Sequence, residues 1–364
     1  MLSFVEFFEG THRSKTQVAR IIDETFHKLM LGTADLDRQM PATSYADSDL
    51  LIMRMDKSKP TIASLVAPEA EIPVQRNRMQ LSSERMGELK VGKQIVWKEN
   101  DYKMLRKIGM SDIPAEVRTA IENTIFQVGA DMIPSLYDKA TMLAIKIATS
   151  GQCVFTDPLT GVEVELSYSD LIDSTNLMLP ALTGNARWNQ PATANALQNL
   201  EVHARAFYDR FGYYLPEITM RDMSLQDMKA QTSVRRALLA RRGATQIDVD
   251  VIADLYIEDA EVIDLIKQRT KCTTVTIVDS MYSEEQADGS VVDKYFLDDN
   301  TYYFSEPRFI ERAFVPTVEK NFAPGIYTRT REINDAPRVE RTVAVGAFVP
   351  FAADARKLAA RKVV

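Results

Sequence analysis

The chain has 364 residues, of which 45% are hydrophobic and 26% are charged, and its formal net charge at pH 7 is −7. This length allows roughly two or three domains, and the composition is that of an ordinary globular protein with a sizeable core. The negative charge argues against general affinity for nucleic acid, since binding to a phosphate backbone requires clustered cations.

The N-terminal segment does not read as an export signal or as an independent domain. The opening sequence MLSFVEFFEG carries Glu6 and Glu9 where a signal peptide needs basic and then apolar residues, and no later window is long and apolar enough to span a membrane. The sequence therefore predicts synthesis in the cytoplasm and no contact with a membrane. Apolar residues at helical spacing from Val18 to Leu29 predict one amphipathic helix, in an arm that docks on another element.

The next region favours an extended hairpin. Two β-prone runs, Thr61–Ala67 and Glu88–Trp97, are joined by a long polar connection. Four charged residues of this region are candidates for contact with another subunit: Arg76, Arg78, Glu84 and Arg85. An isolated two-stranded ribbon is marginal in water, so the hairpin must either lie across another subunit or pack as an edge hairpin of its own domain.

A long helical stretch follows. Ser111-Asp112 and Pro114 are typical of a helix start, and apolar residues then recur every three or four positions as far as Met132. Pro134 is expected to break or kink the helix, after which the apolar stripe resumes and ends at Gly151. The run from Cys153 to Tyr168 then predicts a hairpin with its turn at Asp157-Pro158 and Gly161.

After a polar linker at Thr183–Pro191, the chain alternates between helical and strand patterns. The predicted elements are a helix capped by Thr193 and ended by Gly212, a strand in Pro216–Asp222, a helix at Ser224–Asp227, a helix at Val249–Ile266 and a strand at Cys272–Tyr282.

Two basic clusters stand out. The first comprises Arg235, Arg236, Arg241 and Arg242. It could face DNA or pair with acidic residues across a subunit boundary, and we favour the boundary because many acidic residues follow closely in sequence. The second comprises Arg356, Lys357, Arg361 and Lys362, and is interpreted as a solvated C-terminal end.

The residues that could carry chemistry do not form a recognisable site. His12, His27 and His203 have no second ligand at metal spacing, and no nucleophile elbow, P-loop or dinucleotide fingerprint is present. The paired carboxylates Glu284-Glu285 and Asp298-Asp299 are expected in turns, and Cys153 and Cys272 as two small buried residues. The sequence therefore predicts no catalytic residue, no cofactor and no metal site.

The last third is the most informative. Asp288-Gly289 and Asp299-Asn300 supply turn residues between β-rich runs and predict two successive hairpins. From Val339 apolar side chains fall on nearly every second residue, with Arg341 the only break, which predicts a long strand with one covered face.

This order of hairpins, proline-containing connector and terminal strand resembles the closing third of lambda-type major capsid proteins, members of the Hong Kong 97-type capsid family. The resemblance extends along almost the whole chain and is strongest from Ile218 to Asp354. It implies an α+β fold with these parts: an N-terminal arm at 1–48, an extended loop hairpin at 49–104, a peripheral domain with a spine helix at 105–190, an axial domain at 191–320, and C-terminal strands at 321–364 that return to the peripheral domain.

The resemblance also implies a function. A chain of this family is the structural major capsid protein of a tailed bacteriophage, which assembles with itself into pentamers and hexamers of an icosahedral head. Its further partners would be a separate scaffolding protein, a portal protein and packaged double-stranded DNA bound without sequence specificity; whether a decoration protein also binds is left open. We further expect Met1 to remain on the mature chain. Two alternatives stay open: an encapsulin-type shell protein that encloses cargo enzymes, and a monomeric α/β enzyme.

Overall fold

A computed structural model of the chain describes residues 42–44, 50–55, 81–86, 89–97, 132–159, 161, 163–167, 178–243, 256–298, 300–308, 310–317, 323–324, 327–333, 339–352 and 358–363. The predicted N-terminal helix, the Thr61–Ala67 run and the first part of the long helix lie outside these residues. The chain forms two compact units, one of Met1–Leu50, Met86–Thr141 and Glu311–Phe351, and one of Leu51–Arg85, Met142–Ile310 and Ala352–Val364.

Within the described residues the helices are α1 (Met132–Ser150), α2 (Ala196–Phe211), α3 (Asp222–Ala230), α4 (Thr232–Arg241) and α5 (Asp259–Thr270), with a 3-10 turn at Gly184–Ala186. The strands are β1 (Ala42–Ser44), β2 (Leu50–Met55), β3 (Leu81–Met86), β4 (Leu89–Trp97), β5 (Gln152–Thr156), β6 (Glu163–Ser167), β7 (Met178–Leu179), β8 (Glu217–Met220), β9 (Thr274–Ile277), β10 (Met281–Glu285), β11 (Val291–Tyr295), β12 (Thr301–Ser305), β13 (Ile310–Phe314), β14 (Pro316–Thr317), β15 (Ala323–Pro324), β16 (Tyr327–Ile333), β17 (Val339–Ala352) and β18 (Leu358–Lys362).

The first unit is built around β17, the long terminal strand that the apolar alternation predicts. In its sheet β17 lies between β13 and β16, and β1 runs parallel to β13. β4 is antiparallel to β17 from Leu89, opposite Phe348, to Trp97, opposite Glu340. β4 thus belongs to a sheet of its own chain, and β3 pairs with β2. The other predicted arm, Thr61–Ala67, lies outside the described residues, so the extended hairpin stays a prediction.

In the described part of the chain α1 begins at Met132, so Pro134 lies in its first described turn. The residues before Met132 lie outside what the structure describes, so the break or kink expected at Pro134 stays a prediction. Gly151 ends the helix as predicted: its φ is 72° and its N–H donates to the carbonyl of Ile147 at 2.8 Å. The hairpin of β5 and β6 that follows is also confirmed.

The second unit has a five-stranded sheet in the order β7, β18, β12, β8, β9. All five residues of β12, the central strand, are buried. Tyr302 and Phe304 of this strand belong to the main apolar core, together with residues from α2 to α5. Helix α2 is confirmed with its end at Gly212, whose φ is 83°, but Asn195 rather than Thr193 caps its start.

Two segments whose composition predicts solvated connections are part of this core. Trp188, in the predicted polar linker, is fully buried, and its backbone N–H donates to the carbonyl of Val363 at 3.0 Å. The C-terminal basic end forms β18, which is antiparallel to β12 and parallel to β7. The predicted segment 321–364 is thus divided among three sheets: β15 pairs with β14, β16 and β17 belong to the sheet of the first unit, and β18 belongs to that of the second. The other predicted domain boundaries stay predictions.

Three local predictions also change. The second hairpin is wrong: within the described residues β11 pairs with β10, whereas β12 pairs with β18 and β8, because all five residues of β12 are buried and its backbone groups need partners on both edges. The predicted single helix Val249–Ile266 is not continuous, since Glu258 is extended and caps α5 in a capping box with Glu261. Cys272–Tyr282 comprises parts of two strands, β9 and β10, rather than one.

None of the helices in the described part of the chain is long and apolar enough to cross a membrane.

Candidate subunit interface

The basic quartet lies at α4, and the structure gives two of its members acidic partners in the same chain. Arg242, which caps the C-terminus of α4, places its Nη2 atom 2.6 Å from Oε2 of Glu261 on α5. This hydrogen bond lowers the pKa of the Glu261 carboxyl and raises that of the Arg242 guanidinium. Arg241 lies 3.9 Å from Asp264, also on α5.

These contacts pair two of the four arginines with acidic residues of their own subunit. The acidic residues that follow it in sequence, which we expected to meet it across a subunit boundary, bind part of it within the subunit. Arg235 points back along its own chain, where its Nε donates to the carbonyl of Lys229 at 2.9 Å, whereas Arg236 is exposed. A role of the quartet in contact with another subunit stays a prediction.

The other predicted interface residues are only partly placed. Glu84 and Arg85 lie in β3, and their side chains are outside what the structure describes. Arg76, Arg78 and the basic residues Arg356 and Lys357 also lie outside the described residues.

The hairpin of β10 and β11 is a second candidate surface, and it is firmly anchored. The Arg221 guanidinium lies 3.3 Å from the centre of the Tyr295 ring, and its Nε donates to Oδ1 of Asp279 at 3.0 Å. On the hairpin itself, Lys294 Nζ lies 2.6 Å from Oε2 of Glu284. Glu284 is buried in a strand, so the expectation that it lies in a turn is wrong.

The side of this hairpin on which Tyr295 lies is largely exposed and carries both apolar and acidic residues. Register pairs Met281 with Tyr295, and Glu285 with Val291, on one side of the ribbon. The exposed fractions are 49% for Met281, 64% for Val291 and 39% for Tyr295. Asp293, on the same side, is also exposed and accepts a hydrogen bond from Ser283 at 2.6 Å. We call Met281, Glu285, Val291, Asp293 and Tyr295 the hairpin face.

Helix α2 presents a third exposed surface opposite its buried stripe. Val202 is 57% exposed and Tyr208 41% exposed, and Arg205 and Asp209 lie exposed between and beside them. We call Val202, Arg205, Tyr208 and Asp209 the α2 face. Since residues three and four apart are neighbours on a helix, these four side chains share one side of α2.

His203, one of the candidate metal ligands weighed from the sequence, lies on the buried side of α2. Its Nδ1 is 3.0 Å from the Tyr302 hydroxyl, and its ring meets Phe304 edge-on at 5.5 Å. Burial raises the pKa of Tyr302, which keeps the hydroxyl protonated and able to form this hydrogen bond. Cys272 is likewise a buried free thiol, as predicted, and burial raises its pKa.

Sequence reasoning missed both exposed apolar faces. A signal for the hairpin face was present: Val291 and Val292 are consecutive in a strand, and successive strand residues point to opposite sides. At least one valine of an isolated hairpin had to be exposed. Val202 gave no such signal, since single apolar residues on helix surfaces are common.

Comparison with known proteins bears on the fold. No family model and no curated protein matches the chain. Among solved structures, a phage-related protein from Bordetella bronchiseptica RB50 is similar with a TM-score of 0.50 and 11% identity, over 94% of this chain and 96% of that one.

Two further solved structures are similar at lower scores. A protein assigned as a prophage capsid protein in E. coli CFT073 has a TM-score of 0.49 and 13% identity, over 79% of this chain and 80% of that one. A virus-like particle from Pyrococcus furiosus has a TM-score of 0.43 and 7% identity, over 93% and 98%. The likeness to the phage-related protein, which extends over almost the whole of both chains, confirms the predicted α+β fold of the Hong Kong 97 type.

Proposed function

We propose that this chain is the major capsid protein of a tailed bacteriophage, a structural protein that assembles with itself into the pentamers and hexamers of an icosahedral head. The observation that carries the proposal is the fold likeness to a phage-related protein, which spans almost the whole of both chains. The same assignment follows from the resemblance of the closing third of the sequence to lambda-type capsid proteins.

The surface of the second unit supports a chain that binds copies of itself. The hairpin face and the α2 face each expose large apolar side chains beside charged ones. Large apolar surface left in water is unfavourable and commonly marks a protein interface. A self-assembling subunit has to carry several such surfaces, because each copy meets neighbours on more than one side.

The proposed partners follow from this role. They are further copies of the chain, a separate scaffolding protein, a portal protein and packaged double-stranded DNA. The net charge of −7 suits a shell wall that holds DNA without adhering to it, since strong DNA binding needs clustered cations. We place the protein in the virion capsid after synthesis in the host cytoplasm.

The proposal is tested by expressing the full chain, alone and with the proposed separate scaffolding protein, and examining the products by sedimentation velocity and negative-stain electron microscopy. We expect rings and closed shells. A chain that stays monomeric at every concentration, with and without the scaffold, would refute the proposal. Shells that copurify with an enzyme cargo and need no scaffold would instead identify a nanocompartment protein.

A further inference from the structure

The hairpin face has the composition of a protein contact and carries a net negative charge. Its apolar members are Met281, Val291 and Tyr295, and its charged members, Glu285 and Asp293, are both acidic. Glu285 makes no ion pair with any residue that the structure describes. A partner that covers this face must therefore offer apolar surface and at least one cation, or Glu285 would be desolvated without compensation.

A second hairpin face does not meet this requirement. Two copies that met through their hairpin faces would bring Glu285 and Asp293 of both copies together. Pairing through the outer edge of β11, centred on its middle residue, would place Asp293 opposite Asp293, and like charges directly opposite destabilise a strand pair. A symmetric contact of the hairpin with itself is thus disfavoured.

The α2 face meets the requirement. Val202 and Tyr208 supply exposed apolar surface, and Arg205 supplies a cation that makes no ion pair with a described residue. Asp209 also lies on this face, and Arg210 follows it directly. Arg205 is beside Val202 on the helix, so one surface combines exposed apolar area with the cation that the hairpin face lacks.

We infer that the hairpin face of one copy binds the α2 face of the next copy, with Glu285 and Asp293 placed against Arg205. The inference rests on the proposed function and specifies one of its contacts. The two faces are different surfaces of one chain, so the contact is head-to-tail, and a head-to-tail contact repeated around an axis closes into a ring. This is the symmetry that pentamers and hexamers require.

The test is a charge exchange in the full chain, assayed for ring formation by sedimentation velocity in the presence of scaffold. Glu285→Arg and Arg205→Glu should each lower the yield of rings by about tenfold or more, because each variant opposes like charges at every contact of the ring. The double variant Glu285→Arg with Arg205→Glu restores opposite charges and should recover most of that yield.

Matched controls separate the contact from general damage. Glu163→Arg changes an exposed acid on the hairpin of β5 and β6, and Arg187→Glu changes an exposed arginine outside the α2 face. Both controls should assemble as the wild type does, and all variants should melt within a few degrees of it. Val291→Ser, which changes no charge, provides an independent variant and should also lower ring yield.

The outcomes distinguish the inference from the proposed function. If the wild-type chain forms no rings or shells, the proposed function fails and the contact fails with it. If the wild type assembles and Glu285→Arg, Arg205→Glu and Val291→Ser assemble equally well, the contact alone is refuted. Single variants that fail without rescue by the double variant also refute it, because each face would then bind something other than its proposed partner.

Discussion

Gln231 gives the sharpest test of how the core of the second unit is held together. It is fully buried between α3 and α4. Its Oε1 accepts a hydrogen bond from the backbone N–H of Ala196 at 2.8 Å, and its Nε2 donates to the carbonyl of Trp188 at 3.0 Å. One side chain therefore ties the start of α2 and the Trp188 segment to the α3–α4 junction.

The substitution Gln231→Met keeps a similar side-chain length but removes both hydrogen bonds. The Ala196 N–H and the Trp188 carbonyl are then left without this partner, and each unsatisfied buried group costs about 1–3 kcal/mol. We therefore expect the free energy of unfolding to fall by about 2–6 kcal/mol. The control Gln226→Met loses one exposed hydrogen bond to Asp222 and should cost less than about 0.5 kcal/mol.

The assay is urea unfolding of the full chain at concentrations below assembly, monitored by tryptophan fluorescence. Trp97 and Trp188 are the two tryptophans, so a Trp97→Phe background makes Trp188 the sole reporter. Hydrogen exchange at the Ala196 amide should accelerate in Gln231→Met. If the free energy of unfolding falls by less than about 1 kcal/mol and hydrogen exchange at the Ala196 amide is unchanged, Gln231 is not the essential partner of the Ala196 N–H and the Trp188 carbonyl.

Three further predictions address charge, pH and assembly. Arg242→Glu should lower the melting temperature of the isolated subunit, because the new carboxylate faces Glu261. The double variant Arg242→Glu with Glu261→Arg should restore the melting temperature. An assembly defect with an unchanged melting temperature would place Arg242 at a subunit boundary instead. Burial raises the pKa of Tyr282 to about 12 from a usual 10, so above pH 10 the unfolded chain loses this proton while the folded chain keeps it. Stability should then fall between about pH 10 and 12, and Tyr282→Phe should flatten that fall; an identical pH profile for the variant would contradict it. Deleting Pro68–Gln80, which spares β3, should leave a soluble, folded subunit that forms no closed shells, and normal particles from this deletion would rule out a role of the connection in assembly.

The features that the sequence predicts correctly are those set by local periodicity and turn chemistry. The alternation from Val339 predicts β17, and the apolar stripe that ends at Gly212 predicts α2, because the period of buried residues is a property of each element alone. Asp288-Gly289 predicts the turn of the anchored hairpin, and Gly289 has the positive φ, 81°, that such a turn needs.

The features that the sequence does not predict depend on distant partners. β18 reads as a solvated basic end because Arg361 and Lys362 dominate its composition, yet its alanines fit the closely packed space beside β12. Trp188 follows three polar residues and a glycine within five positions, and only its burial against the central strand reveals its role. The pairing of Arg242 with Glu261 is likewise set by how α4 packs on α5, which no local pattern encodes.

The anchoring of the hairpin explains how an exposed ribbon could serve as a contact surface. A two-stranded ribbon alone is marginal in water, and ordering it at the moment of binding would reduce the affinity of the contact. Three contacts order the ribbon before a partner binds. The Arg221 guanidinium lies on the Tyr295 ring, Arg221 forms an ion pair with Asp279, and Lys294 forms an ion pair with Glu284.

Arg221→Ala should then weaken ring formation even though Arg221 is buried and lies outside the hairpin face. Slowed assembly with an intact subunit core, shown by unchanged hydrogen exchange in α2 and faster exchange in β11, is the expected result. If exchange in β11 is unchanged while assembly is lost, Arg221 acts by some route other than ordering the ribbon.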